Sequence, residues 1–241
     1  MLETLKINNI LFLDIETVAV ESSFVKLDEE FQHLWELKSR YFREKEELTI
    51  EESYNKAGIY AEFGKIVCVS VGYITSSSGE REYRTKSFYS HNEKELLEEF
   101  SELLTKHFDN FDSLLCAHNG KEFDFPYLCR RMLVNGLKIP SILNLAGKKP
   151  WEVQHLDTMQ LWKFGDYKHY TSLKLLAKLF GIPSPKDDID GSDVGRIYWE
   201  ENDLERIEKY CKKDVLTIVQ LLLKYKGEKL LEKNEIVDII D

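Results

Sequence analysis

The sequence is short of positive charge: 33 lysines and arginines face 43 aspartates and glutamates, a formal net charge of -10. That balance argues against broad, sequence-blind adhesion to nucleic acid or to an anionic membrane. It leaves room for a nuclease, because a site that gathers acids around cations adds to the negative count, and the bound cations then meet the phosphate. Cysteine is scarce as well. Cys68, Cys116, Cys129 and Cys211 are widely spaced, form no Cys-x-x-Cys pair and lie in apolar contexts, so each reads as a small buried hydrophobe in a reducing compartment. No apolar run approaches the ~20 residues of a membrane helix. The first apolar stretch is interrupted by Asp14 and Glu16, which argues against a signal peptide. These absences predict a soluble, cytoplasmic chain with no membrane partner. No repeat, low-complexity linker or composition break divides it, and 43% hydrophobic residues with 12% aromatics suit one α/β domain over 1–241.

What is present begins with Ile10 to Thr17, Ile-Leu-Phe-Leu-Asp-Ile-Glu-Thr, an apolar run of strand length that carries two acids near its end. Strand side chains alternate faces, so Asp14 and Glu16 point one way and Leu13 and Ile15 the other. In a central strand covered on both faces an unpaired carboxylate costs several kcal/mol, and two neighbours repel besides. Two readings stand open at this point. Either the strand has ended and both acids are solvated in a turn, or they form part of a divalent metal site.

The rest of the chain alternates strands and helices. Glu21 to Ser53 carries Phe31, Leu34, Trp35, Tyr41 and Phe42 at helical spacing, and Thr49 with Glu52 makes a capping-box pattern for a second helix to about Ala61. This helical insertion, 24–61, reads either as a lid or clamp or as a cover for a sheet edge. Lys65 to Ile74 is a β-branched central strand, Ser76 to Gly79 a turn, and Arg81 to Tyr89 a returning, more exposed strand. Ser90 and Glu93 form another capping-box pattern before a helix with the stripe Leu96, Leu97, Phe100, Leu103 and Leu104. Leu114 to Ala117 is a short buried strand, Asp124 fits the N-cap of a helix ending near Gly136, and Trp151 to Thr158 reads as a strand. Thr171 or Ser172 caps a helix through Phe180, and the last strong helix runs from Asp203 to about Tyr225. The acidic tail, 227–241, is uninformative.

Within that last helix Tyr210 and Asp214 are four apart and share a face. Taken alone, Asp214 has Lys212 and Lys213 as available partners, and Tyr210 is an ordinary half-buried aromatic. Taken together, Asp14-x-Glu16, Asn119 with Phe123-Asp124, and Tyr210-x-x-x-Asp214, in that order, closely resemble the three exonuclease motifs of the DEDD superfamily. The tyrosine four residues before the last Asp resembles the DEDDy branch. Asp-Ile-Glu-Thr and Asn-Gly-Lys-Glu-Phe-Asp-Phe-Pro-Tyr-Leu are most similar to the proofreading domain of family-B DNA polymerases. Ala61 to Val67 and Ile189 to Ser192 are similar to stretches of stand-alone bacterial exonucleases related to it.

The resemblance implies a ribonuclease-H-like fold, a mixed five-stranded sheet with three antiparallel strands first and helices on both faces. It implies that Asp14, Glu16, Asp124 and Asp214 hold two divalent ions, Mg²⁺ or Mn²⁺, with Tyr210 orienting the attacking water. Hard cations prefer oxygen ligands, and mutually repelling carboxylates become stable around them. The resemblance places Thr17 and Val18 against the terminal sugar and base, with Asn119 and Phe123 in the second substrate-binding motif; Asn119 reads equally as a turn residue beside Gly120. Lys121, Arg130, Arg131, Lys148, Lys149, Lys163 and Lys168 are the basic candidates for backbone contacts, while His118 and His169 lack metal-ligand spacing. The expected activity is 3'-5' removal of nucleotides from nucleic acid 3' ends, single-stranded DNA first. RNA or short-oligonucleotide trimming and a catalytically idle binding or adaptor module are the alternatives. With no room for a polymerase, proofreading in cis is not expected, and the residues name no protein partner.

Overall fold

Ile10, Leu11, Phe12 and Leu13 are fully buried, which is the environment that a continuous apolar run requires of a central strand. They open β1 (Ile10–Ala19), the axis of the sheet in this computed structural model, which describes residues 2–77, 80–166, 170–183 and 189–239. Ser78 and Gly79 of the expected hairpin turn, and Lys168 and His169, lie outside the described residues. β1 pairs antiparallel with β2 (Gly64–Ser77), and β2 antiparallel with β3 (Glu80–Tyr89). On its other side β1 runs parallel to β4 (Leu114–Ala117), and β4 parallel to β5 (Leu156–Asp157).

A sixth strand corrects the expected count of five. β6 (Ile236–Asp238), in the tail read as uninformative, pairs parallel with Tyr83 to Thr85, so the order is β5-β4-β1-β2-β3-β6. Arg81 anchors it: Nε and Nη2 donate to Glu235 at 2.9 and 3.1 Å, and Nη1 and Nη2 donate to the carbonyls of Lys229 and Leu230 at 2.7 and 2.8 Å. Three residues are too few for a strand period, so its signal lies in a distant arginine. The strand expected over Trp151 to Thr158 is also shorter. Only Leu156 and Asp157 pair, while Pro150–Glu152 forms a 3₁₀ turn in which the Lys149 N–H donates to Glu152 at 2.7 Å. Local capping there displaces the ladder.

The faces of β1 select their covers. Leu11, Leu13 and Ile15 pack under α3 (Glu93–His107) and α4 (Asp124–Val134), whereas Ile10 and Phe12 pack under the long C-terminal helix, Leu204–Lys226. By the two-residue period, Asp14 and Glu16 continue the second row and face that helix. Asp203 caps it by accepting the Arg206 N–H at 3.1 Å, and Gly227 ends it at φ +70°.

The insertion contains α1 (Glu29–Glu46) and α2 (Ile50–Tyr54), gathered around fully buried Trp35, whose Nε1 donates to Ser53 Oγ at 3.0 Å. The Thr49–Glu52 capping box forms in both directions. The expected apolar stripe is only partly inward: Tyr41 is 81% exposed, and Phe31 and Leu34 are also open to solvent. The Ser90–Glu93 box does not form. Asn92 caps α3 by accepting the Lys94 N–H at 3.2 Å, and Glu93 turns inward instead. The remaining helices are α5 (Thr158–Lys163), α6 (Leu173–Leu179, capped by Ser172) and α7 (Val194–Arg196), which leads through a π-turn into α8 (Leu204–Lys226). No helix among the described residues is long and apolar enough to cross a membrane.

Candidate active site

β1 does not end at its acids. It continues to Ala19, and its register with β2 shifts between Glu16 and Thr17, a bulge in which Val67 of β2 is the extra residue opposite the end of the acid pair. Glu16 is buried opposite Cys68. From α8, the Cys211 thiol reaches the Asp14 carbonyl at 3.4 Å and Asp14 Oδ2 at 3.5 Å. An oxygen from each of Asp14 and Glu16 and the Cys211 sulfur lie within 4.8 Å of one another.

Asp124 arrives from the other side of the sheet. It is the first residue of α4 rather than its N-cap, and Phe123 occupies the capping position without a side-chain bond. The buried Asp124 carboxylate instead accepts the backbone N–H groups of Ile15 and of its own residue, which docks the start of α4 onto β1 between the two acids. Asp214, half-buried on α8, completes the set, and the Tyr210 hydroxyl bonds to it one turn earlier. Lys212, weighed as a partner for Asp214, pairs instead with Glu208 at 2.8 Å.

These groups share one electrostatic neighbourhood. Burial, then the charges of Asp124 and Asp214, holds the Asp14 carboxyl well above the ordinary carboxylate range. Burial, then Asp14 and Asp214, does the same to Glu16. Asp124 is pushed up to about 7 by burial, against the pull of its N–H bonds and with the charge of Asp157 adding to the rise. Burial raises Tyr210 too, with Asp214, Glu16 and Asp14 opposing a second negative charge nearby. Clustered acids of this kind stay protonated or take up cations. Oxygen donors of one sign, withdrawn from water, suit a hard divalent ion.

The surroundings hold residues that sequence reasoning missed. Asp157 accepts the N–H groups of Asn119 and Lys121 at 3.0 and 3.2 Å and those of Met159 and Gln160 at 3.0 and 3.2 Å, tying the loop before α4 to the start of α5. Its place just before a helix was the available signal. His118 bridges Thr158 Oγ1 and the Thr171 carbonyl, both at 2.9 Å, and burial lowers its pKa. Tyr127 Oη donates to the Gly58 carbonyl at 2.7 Å and also bonds Thr17, bracing the bulge from α4. A Cβ on Gly64 would stand 2.2 Å from that hydroxyl, so only glycine admits it.

Of the residues expected to meet substrate, Thr17 and Phe123 are half-buried, and Phe123 rests on Tyr127 at 5.3 Å between ring centroids. Asn119 adopts φ +69°, and its buried Oδ1 has no partner among the described residues. Val18 is only 1% exposed, packed in a core cluster with Val67 and Ile197, so its side chain is withdrawn from any ligand. Arg131 is likewise not a surface cation. Its guanidinium is buried against Glu93 at 2.9 and 2.6 Å and donates to the Ala61 carbonyl at 2.9 Å. Lys121 Nζ is held by the Val153 carbonyl at 2.8 Å, and Lys149 lies over the Trp151 ring at 5.3 Å. Arg130 and Lys148 are exposed, and Lys163 is half-buried.

Comparison with known proteins bears on the family and the fold. The chain is 22% identical over 143 residues to a DNA polymerase of Pyrococcus glycovorans, a match covering 54% of this chain and 18% of that polymerase. Its fold matches the family B DNA polymerase from the hyperthermophilic archaeon Pyrobaculum calidifontis with a TM-score of 0.54 and 14% identity, over 90% of this chain and 24% of the other. The chain therefore spans about a quarter or less of these relatives, and the likeness supports the ribonuclease-H-like fold. A family model matches residues 59–235, a span that includes Asp124, Tyr210 and Asp214 and begins after Asp14 and Glu16. On that match the chain belongs to the family described as "Predicted 3'-5' exonuclease related to the exonuclease domain of PolB".

Proposed function

We propose that the chain, as a single domain over 1–241, is a cytoplasmic, metal-dependent 3'-5' exonuclease that removes nucleoside monophosphates from the 3' end of single-stranded DNA. The observation that carries this reading is the one neighbourhood shared by Asp14 and Glu16 of β1, Asp124 at the start of α4 and Asp214 of α8, in which the charges of Asp124 and Asp214 bear on both β1 acids. Those four residues would hold two Mg²⁺ or Mn²⁺ ions. When bound, such ions polarise the phosphate and lower the pKa of the attacking water.

The chain's own groups supply orientation. The Tyr210 hydroxyl, kept protonated by burial and by the acids around it, is a hydrogen-bonding group that aligns the water and not a base in its own right. Tyr127 and the bulge set Thr17 at the edge of the site, and Asp157 fixes the backbone of Asn119 in the loop before α4. An idle adaptor is disfavoured because the full acid set and the tyrosine are retained.

Incubation with 3'-labelled single-stranded DNA and RNA, with Mg²⁺ or Mn²⁺ and then with chelator, tests the reading. Stepwise release of label from DNA, abolished by Asp14→Ala, by Asp214→Ala and by chelation, is expected. Tyr210→Phe should slow release by roughly 10²- to 10⁴-fold. Faster release from RNA would move the substrate assignment, since a 2'-hydroxyl contact distinguishes the two. Intact label with every metal would refute the activity.

A further inference from the structure

Beside Tyr210 a cavity of about 370 Å³ opens along the first turns of α8. Tyr210 is the residue that it has in common with the carboxylate cluster. Arg206, Lys209 and Lys213 line it, and Arg206, Tyr210 and Lys213 fall at i, i+4 and i+7, so these cations share a helix face with Tyr210 and Asp214. None of the three was among the basic candidates for backbone contacts.

Nearby acids take part in the contacts of these cations. The Asp203 carboxylate caps α8 through the Arg206 N–H at 3.1 Å. Glu205 meets Lys209 only at 4.0 Å, with both side chains more than two-thirds exposed, an ion pair worth little in water. Glu201 holds one edge of the Arg206 guanidinium at 2.7 Å and is shared with Arg196. In a chain of net charge -10, this is a concentration of cations next to the reacting groups. Lys209 and Lys213 are also separated by about 6 Å along the helix axis, one turn, so both ammonium groups can follow one extended strand.

We propose that this cavity seats the phosphodiester backbone just 5' of the bond to be cut. Lys209 and Lys213 donate to phosphate oxygens, and Tyr210, in the shared wall, passes the strand to the carboxylates. The inference rests on the exonuclease reading and deepens it. The shared chemistry is a phosphate ester, and a released nucleoside monophosphate is the other source of one.

The test is equilibrium binding of a fluorescent single-stranded oligothymidylate to the full chain across a salt series, with Ca²⁺ replacing Mg²⁺. Each lysine that neutralises a phosphate contributes ~0.7 to the slope of log affinity against log salt for single strands. Lys209→Gln and Lys213→Gln should each reduce the slope by about that amount, so that wild type loses ~2.6-fold more affinity than either variant over a fourfold rise in salt. Lys209→Arg should restore the slope, and Lys94→Gln, on the outer face of α3, should leave it at wild type. Thermal midpoints equal to wild type establish that the variants fold. Unchanged slopes in both variants, with wild-type hydrolysis intact, overturn the channel and leave the exonuclease reading standing. Variants that weaken binding of thymidine monophosphate but not of the oligonucleotide overturn it in favour of a product site. Absence of hydrolysis by wild type refutes the exonuclease reading and the channel with it.

Discussion

The thiol of Cys211 lies 3.5 Å from Oδ2 of Asp14 and 3.4 Å from the carbonyl of the same residue, so the floor of the acid cluster is a cysteine donating to the first carboxylate. This bond draws the Asp14 pKa downward against burial and the neighbouring charges. Cys211→Ala removes it, and the carboxyl should rise further. Because a cation needs the ionised form, the acid limb of the pH–rate profile should move to higher pH, and half-maximal activity should need several-fold more Mg²⁺. Cys211→Ser, which retains a donor, should behave nearly as wild type. Rates measured over a pH and Mg²⁺ grid check this; an acid limb that stays in place in the alanine variant speaks against it.

Stability of the cation-free protein should fall as pH rises. Asp14, Glu16 and Asp124 each have a folded-state pKa above the unfolded value, so between about 4 and 7 the folded chain binds more protons than the unfolded one, and deprotonation favours unfolding. Cations remove that penalty by matching the ionised acids. The rise in Tm on adding millimolar Mn²⁺ should therefore be larger near pH ~8 than near pH ~5, and small at both in Asp14→Ala. Calorimetry decides, and a Tm increment independent of pH contradicts the shared-cluster electrostatics.

Asp157 is a support for the second motif rather than a surface acid. Asp157→Ala leaves two buried or half-buried loop donors and two helix donors without their acceptor. A loss of roughly 3 kcal/mol or more is expected, a drop in Tm of roughly 6–12 °C for a chain of this size. Asp157→Asn, which keeps an acceptor oxygen, should lose less. A Tm within a degree or two of wild type for the alanine variant would show that the loop holds itself.

Arg131 should matter to folding and not to the strand. Breaking its buried pair with Glu93 by Arg131→Ala leaves an uncompensated carboxylate, at a cost of about 3–5 kcal/mol. Urea unfolding should register that loss, while the salt slope of oligonucleotide binding, measured where the variant is folded, stays at wild type. The reverse pattern would return Arg131 to the phosphate contacts.

The core strands and most helix boundaries were legible because their periodicity and caps are local: β1, the Thr49–Glu52 box, Ser172 and Asp203 all stand where their residues predict. The three motifs were legible as an ordered set. What escaped was set by contacts across long stretches of chain. Glu93 looks like half of a capping box until Arg131, on α4, reaches it. Val18 looks available to a nucleotide until Val194 and Ile197, some 175 positions later, close over it in a core cluster. β6 has three residues and a partner strand some 150 positions earlier. The cavity beside Tyr210 escaped as well, since helical spacing alone does not reveal one.

Diffraction from crystals soaked in Mn²⁺, recorded near the manganese absorption edge, tests the central claim most directly. Two anomalous peaks roughly 3.5 to 4 Å apart, ligated by Asp14, Glu16, Asp124 and Asp214, are expected. Saturating Mn²⁺ with no peak among these carboxylates, or with peaks only elsewhere on the molecule, would contradict a cation-holding site.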